Sequence, residues 1–161
     1  MHWYGNERPC QTTTFDLALQ LNTRRTCIST PAELGQASDE IEFRMRLLGY
    51  SHRDRFALRL ALQEAVVNGF RHSNRGDPNK HLWIAFLVGS EEALIQVRDE
   101  GNGFDHANVP NPLAEEKPDR PGGRGVFLMR MYTSWMSYNE SGNRVTLCRR
   151  RTNQERAELQ A

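Results

Sequence analysis

This 161-residue chain is poor in cysteine and has no long apolar run. Its three cysteines, Cys10, Cys27 and Cys148, are far apart, odd in number and outside any Cys-x-x-Cys pair. Such spacing argues against a zinc site and against a disulfide framework, and it suits a reducing cytoplasm. No window approaches about 18 consecutive apolar residues, so no membrane-spanning helix is expected. The first residues, Met1 to Pro9, lack the apolar core of a secretory signal. Neither sign of charge dominates: 21 Lys and Arg face 20 Asp and Glu, for a net charge of +1. That balance points to neither nucleic acid nor a membrane surface as partner. Arg outnumbers Lys, but the arginines are dispersed apart from Arg149, Arg150 and Arg151, a run that reads as a solvated strand end or tail.

What remains is an ordinary globular composition, 38% hydrophobic and 25% charged. It is long enough for one domain with a sizeable core. Residues 1–13 read as a loose leader, 14–150 as the folded domain and 151–161 as a polar tail. Between Thr14 and Asn22, Phe15, Leu17, Leu19 and Leu21 alternate, which predicts a strand with one buried side. Thr30 followed by Pro31 and Glu33 is a helix start, continued by Ala37, Ile41, Met45 and Leu48 and ended by Gly49. A second helix opens at Ser51 or Asp54 and runs to about Arg71, before turn signals from Ser73 to Asn79. Residues 81–88 and 93–98 read as strands joined by a hairpin turn, Gly89 to Glu92. Residues 100–123 hold four of the seven prolines and read as a long functional loop. A short apolar helix, Gly125 to Tyr132, and a closing hairpin, Trp135 to Asn139 and Asn143 to Arg149, complete the chain. This order predicts an α+β fold, a mixed and mostly antiparallel sheet with helices on one face.

Three elements carry chemistry. In the second helix Glu64 and Asn68 lie one turn apart, their Cβ atoms about 5–6 Å from each other, and His72 continues the row. Leu58, Leu60, Ala61, Leu62, Ala65, Val66, Val67 and Phe70 cover most of the circumference around them, which reads as a buried helix. A buried carboxylate needs a partner or a metal. The plain alternative is a solvent-facing polar edge shared with Arg59, Gln63 and Arg71. An Asn oxygen suits Mg²⁺, and a Glu one turn earlier suits a general base. His72 reads as a cap or packing residue rather than a catalyst.

The second element is Asp99 at a strand end, followed by Glu100, Gly101, Asn102, Gly103 and Phe104. An Asp there can accept a hydrogen bond from an exocyclic amine, and the glycines permit close approach of a ligand. A simple turn is the competing reading; a calcium loop is not, because the final Glu of an EF-hand and the tandem copies of a nonapeptide repeat are missing. The third element is Gly122, Gly123, Arg124 and Gly125 before a helix, an anion-binding arrangement. No Gly-Lys-Ser/Thr follows and no strand leads into it, so it is neither a Walker loop nor a dinucleotide fingerprint.

Taken in order, these elements resemble the N, G1 and G2 boxes of the gyrase/Hsp90/histidine-kinase/MutL ATP-binding superfamily. The finer likeness is to its anti-sigma-factor serine kinase branch. Glu64 through His72 is similar to the N box, Val97 through Asp105 to the G1 box, and Gly123 through Met129 to the G2 box. The resemblance spans about Phe15 to Arg150. It implies a two-layer Bergerat sandwich that binds ATP and Mg²⁺, with residues 105–122 as a mobile lid whose prolines limit closure. It implies that Asn68 coordinates Mg²⁺, that Asp99 binds the adenine amine and that Glu64 is the catalytic base. Gly101, Gly103, Gly123, Gly125 and Val126 would shape the nucleotide pocket, and Arg120 or Arg124 would reach the γ-phosphate. It further implies a protein serine/threonine kinase of a bacterial partner-switching system. Its partners would be a sigma factor and an anti-sigma-factor antagonist, and it would be a cytoplasmic homodimer.

Two alternatives stand beside that reading. One is a nucleotide-sensing module without phosphotransfer. The other is a histidine-kinase catalytic domain acting in trans, disfavoured because no helical segment with a phosphoacceptor His precedes the domain. Two positions depart from the family pattern. Gly142 is followed by Asn143 where the family often has Thr, which touches a polar contact near adenine. Ser134 and Trp135 replace an acidic pair after the lid helix, which points to a changed partner surface.

Overall fold

The computed structural model describes residues 24–73, 77, 79–103 and 124–152. The first strand, β1, is Arg24–Ile28, followed by helix α1 at Pro31–Leu47 and α2 at His52–Asn68. A wider, five-residue π turn, Gly69–Ser73, leads out of α2. The hairpin β2 (Leu82–Val88) and β3 (Glu92–Asp99) follows, then α3 (Arg124–Tyr132) and the hairpin β4 (Trp135–Tyr138) and β5 (Arg144–Arg150). The two hairpins and all three helices lie where the sequence places them. Strand β1 occupies a stretch to which the sequence reading assigns no strand, and the strand expected over residues 14–22 lies outside the described residues.

The caps explain the helix bounds. Thr30 adopts an extended conformation and its hydroxyl accepts the Glu33 N–H, while the Glu33 carboxylate takes the N–H groups of Ser29 (2.7 Å) and Thr30 (2.9 Å). This reciprocal box satisfies donors that a helix start leaves orphaned. At the other end, Gly49 N–H donates to the Arg46 carbonyl and Tyr50 N–H to that of Met45. That pairing needs a left-handed residue, and Gly49 has φ +79°. Ser51 then caps α2 by accepting the Asp54 N–H at 3.1 Å.

Among the described residues the sheet has five strands in the order β1-β2-β3-β5-β4, every neighbouring pair antiparallel. The register puts Ile28, Leu82, Ile84, Phe86, Ile95, Val97, Val145 and Leu147 on one face. These join Ile41 and Met45 of α1, Leu58, Leu62 and Val66 of α2 and Met129 of α3 in one core. The fold is thus a two-layer α+β sandwich, helices on one side of an antiparallel sheet. Asp99 and Arg149 share that face at opposite ends of the sheet.

The expectation that α2 is buried on nearly all sides is corrected. Ala57, Leu58, Ala61, Leu62, Ala65 and Val66 are buried, but Arg59 and Gln63 are exposed, as are Phe56 (53%) and Val67 (38%). The helix has one layer of neighbours, and its second apolar stripe faces outward. Arg149 also departs from its expected solvated role: its guanidinium, 15% exposed, pairs with fully buried Asp54.

Candidate functional site

The end of α2 is where the three elements converge. Glu64 and Asn68 lie at the edge of the buried face, both half-buried, between the core stripe and the exposed Gln63 and Arg71. The polar row is therefore neither enclosed nor simply solvent-facing. Asn68 meets α3 at Gly125: a Cβ built there would lie 2.6 Å from Asn68 Nδ2 and 2.8 Å from Oδ1. Any larger residue at 125 would strike the carboxamide, so glycine at this position sets the approach of α3 to Asn68.

One residue on, the chain widens into the π turn, a local geometry often found at functional positions. Gly69 packs on Leu82, where an added Cβ would come within 2.6 Å of Cδ2. Leu82 is the direct cross-strand neighbour of Asp99. Packing of a glycine on a leucine therefore connects Asn68 to the strand end that carries Asp99.

Asp99 is buried, 8% exposed, and its Oδ1 accepts the Gly101 N–H at 2.8 Å. This Asx turn orients the carboxylate. The neighbouring acid points elsewhere, since exposed Glu100 accepts the His81 N–H at 3.0 Å. Gly103 has φ +76°, and a Cβ there would overlap the Ser141 carbonyl oxygen. Both its dihedral and its closeness to the β4–β5 turn require glycine. Val126 is buried and Arg124, at the start of α3, is exposed.

The structure thus brings Asn68 beside Gly125 and, through Gly69 and Leu82, links them to the strand end of Asp99. Gly123, Arg120 and the lid at residues 105–122 lie outside the described residues, as does the side chain of His72. The departures acquire structural roles. Ser134 N–H donates to the Cys148 carbonyl at 2.7 Å and its hydroxyl accepts the Arg150 N–H at 2.9 Å, so Ser134 starts the β4–β5 ladder. Asn143 and the unremarked Asn139 join in a hydrogen-bonded pair at 2.8 Å beside the Asp99 turn. Turn signals around Gly142 were the available clue, but they do not report cross-turn pairing.

The donor chemistry fits a magnesium nucleotide. Among the described residues no group of three or more His, Cys, Asp or Glu is placed to hold a metal ion. One carboxamide oxygen, with phosphate oxygens and waters completing the shell, is a normal Mg²⁺ arrangement. The start of α3 adds backbone N–H groups and a positive helix end near the same point.

Residues 27–149 match the model of the histidine kinase-like ATPase domain, and the chain belongs to that family. It is similar to the serine-protein kinases RsbW of Bacillus licheniformis and Bacillus subtilis, 30% identical to each over 88 residues. Each of those alignments covers 51% of this chain and 55% of the relative. The RsbW of Listeria monocytogenes serotype 4a is 26% identical over 87 residues, 50% of this chain and 55% of its own. The chain spans about half the length of the curated relatives it matches. No helix among the described residues is long and apolar enough to cross a membrane.

Proposed function

We propose that this chain is an ATP-dependent protein serine/threonine kinase of the partner-switching type, working in the cytoplasm as a homodimer. It binds a sigma factor and phosphorylates a Ser or Thr of a small anti-sigma-factor antagonist. The observation that carries the reading is the seating of Gly125 against the Asn68 carboxamide, on the path through Gly69 and Leu82 to Asp99. Membership of the ATPase family and the likeness to serine-protein kinases support it.

In this reading Asn68 holds Mg²⁺ and Asp99, oriented by Gly101 N–H, accepts the adenine amine. When bound, Mg²⁺ neutralises phosphate charge. Glu64 takes the proton of the attacking hydroxyl, whose oxygen forms the new P–O bond as the bond to the ADP leaving group breaks. Arg124 offers its donor fork to the transferred phosphoryl group. Positioning and electrostatics supply most of the acceleration.

The test is incubation with radiolabelled ATP, Mg²⁺ and candidate antagonists, beside thermal melts of the wild type and Asn68→Ala. Label on an antagonist hydroxyl is the expected result. At a ligand concentration 100 times the dissociation constant, Mg-ATP should add about 2.7 kcal/mol to the wild type and little to Asn68→Ala. Tight binding with no labelled antagonist would favour a nucleotide sensor, and no melting shift at all would remove both readings.

A further inference from the structure

Four-residue steps along α2 trace one row, His52, Phe56, Leu60, Glu64 and Asn68, each residue one turn beyond the last. The row changes character on the way. Phe56 and Leu60 are apolar, while Glu64 and Asn68 are the candidate base and the candidate Mg²⁺ ligand. Exposure falls along it: His52 and Phe56 are exposed, Phe56 by 53%, and Leu60, Glu64 and Asn68 are half-buried. A four-residue step drifts about 40° on a helix of 3.6 residues per turn. The drift carries the row from the open side of α2 to the seam where Asn68 meets Gly125 of α3.

The Phe56 ring is held although it is exposed. The His52 imidazole stacks on it, with centroids 6.3 Å apart and planes 11° from parallel. A ring already fixed in one orientation loses little freedom when a partner covers it. Beside it, Arg53 is exposed and has no ion pair among the described residues. On the other flank Arg59 is held by Glu42 at 3.1 Å. The apolar half of the row therefore has one free positive charge at its edge.

Lengths along the helix say what would cover this half. At 1.5 Å per residue Phe56 lies about 12 Å from Glu64, and Leu60 about 6 Å. A specific protein partner covers about 800 Å², a disc about 16 Å in radius. Such a footprint, centred on a hydroxyl delivered to Glu64, takes in both Leu60 and Phe56. A small-molecule acceptor would leave them in water. We propose that Phe56 and Leu60 anchor the protein acceptor, selecting antagonists that carry an apolar patch with an acidic edge about 12 Å from the hydroxyl to be phosphorylated. This assignment rests on the kinase reading of Glu64 and adds to it a recognition element outside the three motifs.

The test is steady-state phosphotransfer from Mg-ATP to an antagonist protein that the wild-type chain labels. The variants are Phe56→Ser, Phe56→Leu, Arg53→Glu and, as a control, Phe43→Ser, which removes an aromatic of similar exposure (50%) from α1. In Phe56→Ser the KM for the antagonist should rise about tenfold or more, the scale of a lost aromatic anchor, with kcat and Mg-ATP affinity within about twofold of the wild type. Phe56→Leu should recover most of the loss, and Phe43→Ser should leave KM unchanged. Arg53→Glu should raise KM by an amount that shrinks as salt is added, and it decides alone if Phe56→Ser does not fold. An unchanged KM in Phe56→Ser, or an equal rise in Phe43→Ser, would overturn the assignment. So would a Phe56→Ser protein that phosphorylates normally but no longer binds a sigma factor, since the row would then serve that partner. A wild type that labels no antagonist would instead sink the kinase reading itself.

Discussion

Replacing Asp54 should cost as much stability as truncating a core leucine of α2. The carboxylate is fully buried near the first turn of the helix. Its Oδ1 receives Arg149 Nε and Nη2, both at 2.8 Å. Its Oδ2 receives the Thr152 N–H at 3.0 Å, the Thr152 hydroxyl at 2.7 Å and the Ser51 hydroxyl at 2.8 Å. One acid thereby ties the start of α2 to the end of β5 and the residues just beyond. Asp54→Ala would leave a mostly buried guanidinium without its counter-charge and an N-cap hydroxyl without its second partner. Breaking one side of such a pair costs about 3–5 kcal/mol. Asp54→Asn is a milder probe. Its amide must turn a donor toward either Arg149 or the Thr152 N–H, neither of which can accept, so a loss of about 2–3 kcal/mol is expected.

The measurement is urea unfolding followed by far-ultraviolet circular dichroism, without nucleotide. A double-mutant cycle with Arg149→Met should recover part of the loss, because it removes the charge that Asp54→Ala strands. The pH dependence gives an independent check. Burial by itself raises the Asp54 pKa, but the Thr152 N–H and hydroxyl, the Ser51 hydroxyl and Arg149 outweigh it and hold the carboxyl below its ordinary 3.8. The folded-state value is depressed, so the group's contribution is complete above the ordinary value and is lost as pH falls through the lower, folded one. Acid unfolding should therefore lose part of its steepness in Asp54→Asn. An Asp54→Ala protein within about 1 kcal/mol of the wild type would refute the hub, because that is the scale of an average point substitution.

Three further substitutions probe the site. Gly125→Ala places a methyl 2.6 Å from the Asn68 amide and should weaken Mg-ATP binding at least about tenfold in calorimetry, with little change in urea midpoint because Ala favours helix. Gly103→Ala requires a left-handed backbone and collides with Ser141, and should destabilise the domain by about 2 kcal/mol or more in urea. Glu64→Gln should lower phosphotransfer to an antagonist by about 100-fold or more while ATP affinity changes by less than about twofold; equal losses in both would assign Glu64 to binding.

Local rules were enough for most of the fold because its signals are short-range. The Thr30 box, the left-handed Gly49 and the alternation along β2 and β3 each act within a few residues. The misplaced signals are those whose partner lies far along the chain. Arg149 looks like one member of a basic run until the end of β5 comes beside Asp54, 95 residues earlier. The outer stripe of α2, with Phe56 and Val67, reads as buried because composition cannot say that only one side of the helix has neighbours.

The candidate site divides the same way. The candidate residues Glu64, Asn68, Asp99 and the glycines could be picked out because a magnesium nucleotide site would call for those residue types. What each glycine makes room for was not. Gly125 makes room for the Asn68 amide, Gly69 for the Leu82 methyls and Gly103 for the Ser141 carbonyl, contacts made only once helix, sheet and hairpin are assembled. Freedom of φ is only part of the reason for glycine here, since Gly103 is left-handed while Gly69 has ordinary helical dihedrals with φ −59°. At Gly69 and Gly125 the missing atom is what matters. An alanine at either position is compatible with the local backbone, so sequence propensity would accept it and even favour it in a helix. At Gly69 the added methyl would crowd the buried Leu82, whereas at Gly125 it would meet only the Asn68 amide, so the expected pattern for Gly125→Ala is a variant that folds normally and binds poorly.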